Sequence, residues 1–383
     1  MQKGPVEVSR TRAVVIWANF GLYHFARAAA IGSVCDLVPI ELASHQRMYG
    51  WQVRPELLST PLITLAEGSL EDQSQFALSI KLWKALQVAQ PSFVFIPGYA
   101  TLPSLTAGMW SRWKGRRAVM MTESNLNDYP RRPLFETLKR MLVSALFDAA
   151  LVGGCRAADY ANRLGIPVEK IYFKYNVVDN EWFERRANEI RAQKVHPQNL
   201  PSDFFLFVGR LAPEKNVLTL LNAFHEYVTN GGRWDLVIVG RGPLQNVVDT
   251  AVRDYNLSDR VRLEGFKNGA EIIPYYAFAR CFVLPSVREP WGLVVNEAMA
   301  CGLPVICSVN CGAYDDLIVE GETGFGVRPD DAMNLATALH RMSSMDSAQL
   351  IEMGQRAQLR MAKYSPRGLS LEAMRVIQEL SPV

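Results

Sequence analysis

The chain has 383 residues, 49% apolar, 10% aromatic and 21% charged, with a formal net charge of +3. This is the composition of a folded globular protein with no run of about 18 apolar residues to span a bilayer, and its length exceeds one ordinary core, so two domains are expected. The six cysteines, Cys35, Cys155, Cys281, Cys301, Cys307 and Cys311, include no C-x-x-C pair, which argues against a disulfide framework or a zinc site.

In chain order, a buried strand is expected over 13–17, then the turn Asn19-Phe20-Gly21 and a helix from Leu22 to Gly32. Short strands follow at 35–40 and 61–65, an amphipathic helix at 75–88, and a strand at 92–96 ending in Pro97-Gly98-Tyr99. A strand at 118–121 runs into Thr122-Glu123-Ser124, and helix 134–147, strand 149–152, helix 157–164 and strand 170–174 complete the first half. Strands alternating with helices in this way imply a mostly parallel sheet covered on both faces. Residues 179–202 are charged and contain Asn and Pro; they read as a linker, with 181–193 open to being helical. A second α/β series occupies 203–362: strands at 204–208, 236–239, 261–263, 281–284 and 304–308, with helices at 217–228, 244–255 and 271–278 and one carrying Glu297. Asn216 is placed to cap the first of these helices. Polar helices from 331 onward end the chain.

Charge divides unevenly between the halves. Residues 1–178 carry twenty cations against thirteen carboxylates (+7), and the remainder twenty-one against twenty-five (−4). The segment Trp110 to Arg117 mixes aromatics with cations, and Arg131, Arg132, Lys139 and Arg140 follow. Such a surface suits anionic lipid or nucleic acid, or is a solvated loop before a strand with ordinary helix-surface charges; no nucleic-acid-binding motif is present. The expected location is cytoplasmic, with peripheral contact at the inner face of the membrane as an option.

In open parallel sheets, ligands bind beyond the carboxyl ends of strands. Three junctions there have suitable chemistry. Gly209 to Lys215 reads GRLAPEK and sets two cations, Arg210 and Lys215, at a loop entering a helix, where a diphosphate would be held. Gly240-Arg241-Gly242-Pro243 permits close backbone approach by a ligand, and is also common turn chemistry. Gly265-Phe266-Lys267 could lie beside a nucleobase.

The fourth junction carries most weight. After the apolar run 281–284 comes LPSVREPWGLVVNEAMACG, with Glu289 in a proline-bounded loop and Glu297 on the second turn of the following helix. Carboxylates this close to apolar neighbours need hydrogen-bond donors, which ligand hydroxyls would supply.

With GRLAPEKN, VGRGP and EPWGLVVNEAMACGLPV (an E-x7-E pattern), the chain resembles the retaining glycosyltransferases of the GT4 group, specifically in its carboxyl-terminal half and only architecturally in its amino-terminal half. The resemblance implies the α/β GT-B fold, two Rossmann-like doubly wound domains facing each other across a cleft. Residues 1–178 would bind the acceptor and 203–362 the nucleotide sugar, while a helix in 363–383 crosses back to the first domain. The activity implied is metal-independent, cofactor-free transfer of a sugar from a UDP- or GDP-linked donor to an acceptor hydroxyl of a glycan, a lipid-linked saccharide or a small metabolite.

On this resemblance Arg210 and Lys215 hold the diphosphate, Glu297 accepts from the ribose hydroxyls and Glu289 lies against the donor sugar. Gly21, Gly209, Gly240, Gly242, Phe266, Trp291, Gly292 and Leu293 complete the donor side, and His24, Tyr99 and Glu123 the acceptor side. Two departures stand out. Asn19-Phe20-Gly21 replaces the frequent Gly-Gly pair after the first strand, and Glu123 stands where many members carry a histidine near the reacting centre. Glu123 would orient the donor sugar or accept the acceptor proton; His24 is the alternative, unless it serves packing or capping. A nucleotide-sugar epimerase or hydrolase of the same fold, and a non-catalytic nucleotide-sugar-binding protein, are the competing readings.

Overall fold

The computed structural model describes residues 11–46, 55–193 and 200–381. The first sheet is built from β1 (Arg12–Trp17), α1 (Leu22–Gly32), β2 (Asp36–Glu41), β3 (Ile63–Thr64), α2 (Gln75–Ala89), β4 (Phe93–Pro97), α3 (Leu102–Trp113), β5 (Arg117–Thr122), α4 (Pro133–Leu146), β6 (Ala149–Val152), α5 (Cys155–Arg163) and β7 (Ile171–Tyr172). Its strand order is β3-β2-β1-β4-β5-β6-β7, with every pairing parallel. The strands are continuously apolar because both faces are covered: Val14, Ile16, Val94 and Ile96 enter one core, and Ala13, Val15, Phe93 and Phe95 the other.

The second unit begins with α6 (Asn180–Ala192), then β8 (Phe204–Val208), α7 (Val217–Thr229), β9 (Asp235–Val239), α8 (Gln245–Asp254), β10 (Val261–Gly265), α9 (Ile273–Phe278), β11 (Cys281–Leu284), α10 (Leu293–Ala300), β12 (Val305–Ser308), α11 (Tyr314–Leu317) and β13 (Gly324–Val327). Its order is β10-β9-β8-β11-β12-β13, again parallel throughout. Each sheet reverses its winding once, between β1 and β4 and between β8 and β11, and at such a point the flanking loops diverge to leave a crevice. α12 (Ala332–Ser343), α13 (Ser347–Met361) and α14 (Pro366–Leu380) close the chain. Leu369, Ala373, Val376, Ile377 and Leu380 of α14 pack with Phe25, Ala28 and Ile31 of α1, on the first sheet.

Several expectations need correction. Within the segment read as a linker, the helix left open for 181–193 is present as α6, and its Phe183 and Ala187 are buried in the second core; residues 194–199 lie outside the described residues. The helix α3 was not among the expected elements. Pro103 sits in its first turn, where proline is tolerated, behind the N-cap Thr101. Gly108 lets α4 approach: a Cβ there would lie 3.2 Å from Leu146 Cβ. Trp110 is therefore core rather than part of a basic surface loop. β13 was likewise not among the expected elements. A Cβ on Gly324 would lie 1.8 Å from the Val305 carbonyl oxygen, so only glycine fits this close pairing.

Candidate functional site at the cleft between the sheets

The loop leaving β8 is fastened to the loop leaving β11. The Glu214 carbonyl accepts from Val287 N–H at 2.9 Å, and Asn216 Nδ2 donates to the Pro285 and Pro329 carbonyls at 3.0 and 2.6 Å. Asn216 does stand at the start of α7, but in a left-handed conformation. Its Oδ1 accepts from Thr219 Oγ1 at 2.7 Å instead of capping a backbone N–H. This joint brings Lys215 Nζ onto Glu289 Oε2, an ion pair supported by Ser286 Oγ at 3.3 Å. Arg210 is more exposed and pairs with Glu214.

Glu297 is 3% exposed on α10. Tyr276 Oη donates to its Oε2 at 2.6 Å, and Tyr23 Oη, from α1 of the other sheet, donates to its Oε1. Burial outweighs these two donors and raises the carboxyl to about 7. Gly292 precedes α10 at φ +98°, with Cys311 Sγ 3.0 Å from where a Cβ would stand, so both conformation and space call for glycine. Leu293 then opens the helix.

Gly240 and Gly242 have a structural explanation. Cβ atoms on them would lie 1.9 Å from the Gly209 carbonyl oxygen and 2.3 Å from that of Leu211, so their bareness serves the contact between the loops after β8 and β9. Phe266 is exposed just beyond β10. Trp291 is removed from the donor-facing set. It is 2% exposed, its Nε1 donates to Asn296 Oδ1 at 2.9 Å, and its ring fills the space over Gly153 and Gly154 of the first unit. Asn296 Nδ2 in turn donates to the Asn176 carbonyl at 2.9 Å.

From the first unit, the turn at Gly21 is held by Glu41, which accepts from Phe20 N–H at 2.9 Å and from Thr64 Oγ1 at 2.7 Å. His24 Nδ1 accepts from Gly21 N–H at 3.0 Å, making it a capping residue of α1. Burial, with a smaller contribution from Arg27, lowers it to about 3, so it is neutral and only Nε2 is left for another partner. Tyr99 sits 3.3 Å, hydroxyl to hydroxyl, from Tyr160, in the network of Tyr160, Glu136 and Arg131. Glu123 Oε2 accepts from Asn176 Nδ2 at 2.9 Å. Burial raises the Glu123 carboxyl, Arg27 opposes the rise and the Glu289 charge across the cleft adds to it.

The structure thus gathers Lys215, Glu289 and Glu297 on one side and Glu123 on the other. Sequence reasoning missed Tyr23, Tyr276, Arg27 and Asn176. Arg27 donates from Nε to the Val177 carbonyl at 3.2 Å, while its Nη2 and Asn176 Oδ1 are buried without a hydrogen-bond partner among the described residues. Nothing local marks these residues; their roles arise from contacts distant in sequence. The units are further joined by Cys155 N–H to Asp316 at 3.0 Å, Arg156 to Asp315 at 2.6 Å, and Asn125 Nδ2 to the Pro290 carbonyl at 3.3 Å.

Residues 188–360 match the family described as Glycosyl transferases group 1, the stretch in which the motifs quoted above lie. The amylovoran biosynthesis glycosyltransferase AmsK of Erwinia amylovora is 31% identical over 235 residues, 60% of this chain and 52% of that protein. The N-acetylgalactosamine-N,N'-diacetylbacillosaminyl-diphospho-undecaprenol 4-alpha-N-acetylgalactosaminyltransferase of Campylobacter jejuni is 30% identical over 190 residues, 49% and 48% of the two chains. These matches span about half the length of the relatives. The structure of Anabaena HepE in complex with UDP superimposes with a TM-score of 0.74 at 16% identity, covering 97% of this chain and 100% of that one. The fold is GT-B.

Proposed function

We propose that the protein is a retaining, metal-independent glycosyltransferase of the GT4 type that moves a sugar from a UDP- or GDP-linked donor to an acceptor hydroxyl. The observation that carries this reading is the convergence of Lys215, Glu289 and Glu297 at the winding reversal of the second sheet, opposite Glu123. Lys215 and Arg210 take the diphosphate, and their fixed charge stabilises the departing nucleotide, work that a divalent cation does elsewhere. Lys215 exchanges part of its contact with Glu289 for phosphate oxygens, which frees Glu289 to accept from the donor sugar's hydroxyls. Glu297 accepts from the ribose hydroxyls once the Tyr23 hydroxyl gives way. Glu123, whose carboxyl burial raises from its ordinary value, serves as a proton acceptor or orients the donor sugar.

The acceptor lies against the first unit, and a glycan, a lipid-linked saccharide or a small metabolite all fit its hydroxyl chemistry. UDP is the first nucleotide to try, since it occupies HepE, and a lipid-linked acceptor is suggested by the name of the Campylobacter relative. The location proposed is cytoplasmic, peripheral to a membrane; among the described residues no helix is long and apolar enough to cross one.

The test is a thermal-shift screen with UDP, GDP and their sugars, followed by turnover with and without acceptors. Stabilisation by one nucleotide diphosphate and acceptor-dependent, chelator-insensitive turnover are expected. Stoichiometric donor breakdown without acceptor would favour a hydrolase or epimerase, and a fully active Glu123→Gln variant would remove that residue from the chemistry.

A further inference from the structure

The two unpartnered buried atoms behind the cleft are of opposite kind: Arg27 Nη2 is a donor and Asn176 Oδ1 an acceptor. Leaving either group unpaired away from water is costly, so both call for an explanation. They belong to side chains on the same segment. Arg27, 3% exposed on α1, is held through its Nε by the Val177 carbonyl, and its guanidinium carbon stands 4.6 Å from the centre of the Tyr175 ring. Trp17 Nε1 fixes that ring by donating to its hydroxyl at 3.0 Å.

Arg27 is also a buried cation with no ion pair among the described residues. Such a charge is expensive to desolvate, and an apolar side chain of similar volume is often as stable or more so. Packing therefore does not account for it. Its field falls on Glu123. Burial raises that carboxyl and Arg27 opposes the rise, while Glu289 from the second unit and Asp128 on the same loop add to it. The other titratable groups facing Arg27 are His24 and Tyr175, both kept neutral chiefly by burial. Glu123 is thus the carboxylate left to balance the buried cation.

Asn176 connects the two. Its Nδ2 donates to Glu123 Oε2 at 2.9 Å, and the next residue, Val177, is the acceptor for Arg27. The amide has little room to turn, because a Cβ on Gly153 would already lie 2.5 Å from its Nδ2. Its backbone carbonyl accepts from Asn296 Nδ2 at 2.9 Å, and Asn296 is in turn held by Trp291. The place of the Glu123 carboxylate is tied in this way to the seam between the units.

We propose that Arg27 and Asn176 are positioning residues for Glu123: the Asn176 amide holds the carboxylate, and Arg27 supplies the buried counter-charge, joined to Asn176 through the Nη2 donor and Oδ1 acceptor that neither satisfies elsewhere. That this serves sugar transfer rests on the glycosyltransferase reading; the arrangement itself does not.

The experiment is isotope-edited infrared difference spectroscopy of the full chain across pH, with the protonated Glu123 carboxyl identified as the carbonyl band missing from Glu123→Gln. Losing the cation or the amide donor disfavours the carboxylate. Arg27→Met and Asn176→Ala are each expected to raise the Glu123 midpoint by roughly one pH unit, a tenfold gain in proton affinity, and Arg27→Lys to stay near wild type. The double variant should shift it by less than the two single shifts added. Arg27→Met is expected to melt no lower than wild type, since it removes an unpaired buried charge. Should that variant fail to fold, Arg27→Gln removes the charge while keeping a donor. An unmoved midpoint in the Asn176 variant or in the neutral Arg27 variant would overturn the proposal, as would an equal shift in Arg27→Lys or additive shifts in the double variant. A lower melt with an unmoved midpoint would make Arg27 a structural residue. The expected shifts, together with UDP-glucose turnover that Glu123→Gln leaves unchanged, would keep the positioning and remove the part of Glu123 in transfer.

Discussion

Replacing Glu297 by Gln separates stability from ligand binding. In the ligand-free protein the Glu297 carboxyl is raised from 4.5 to about 7 by burial. The folded state therefore holds a proton that the unfolded state has released, and stability falls as pH rises from about 4.5 to 7. At about 1.4 kcal/mol per tenfold change, that interval corresponds to about 3 kcal/mol. Gln keeps the shape, accepts from one tyrosine hydroxyl and donates to the other, and carries no charge to desolvate. Glu297→Gln and wild type are thus expected to melt alike near pH 5. At pH 8 the variant should be more stable by about 3 kcal/mol, or about 4 °C for a chain of this length unfolding as one unit. Nucleotide binding should move oppositely. Ribose hydroxyls stabilise the carboxylate, so wild-type affinity declines as pH falls through 7, while the variant binds more weakly with little pH dependence. Thermal melts and titration calorimetry from pH 5 to 8 measure both effects. A melting difference that does not vary with pH, or a variant less stable at pH 8, would refute the reasoning by showing that the two tyrosines solvate the carboxylate fully.

Three further outcomes follow from the geometry. Lys215→Ala is expected to slow transfer by about 2 to 4 kcal/mol of transition-state stabilisation, the scale for one lost charge-stabilising donor, and a near-normal rate would contradict the diphosphate role. Tyr23→Phe removes the hydroxyl that has to leave Glu297, so nucleotide-diphosphate affinity measured by calorimetry should increase about fivefold; weaker binding would instead make that hydroxyl part of the bound site. Gly154→Ala puts a Cβ 2.3 Å from Asp316 Oδ2 and 2.5 Å from Trp291 Cζ3, so a loss of about 1 to 3 kcal/mol and a larger radius by X-ray scattering are expected, and an unchanged melt would show that the two units do not depend on this seam.

The candidate site was legible where chemistry is local. The junctions after β8 and β11 combine Gly, Pro and charged residues at the ends of apolar runs, so Lys215, Glu289 and Glu297 could be singled out before any contact was known. Trp291 was misread because its neighbours are site residues: sequence adjacency does not reveal that its ring turns away to cover Gly153 and Gly154. Nor could Tyr23 be paired with Glu297, since 274 positions separate them and only the facing of the two sheets joins them.

The sequence by itself determined the two parallel sheets, because strands buried on both faces must be continuously apolar and their helices must break at Gly and Pro. It also determined which strand ends carry charge. Tertiary structure decided which way each element faces. The i, i+4, i+7 pattern of Leu134, Leu138 and Met141 is the pattern of a core-facing helix, and nothing in it tells core from solvent. Only the packing of Val143 and Leu146 against the first unit turns that stripe outward. Periodicity defines a face, but what the face meets depends on chain segments far away in sequence.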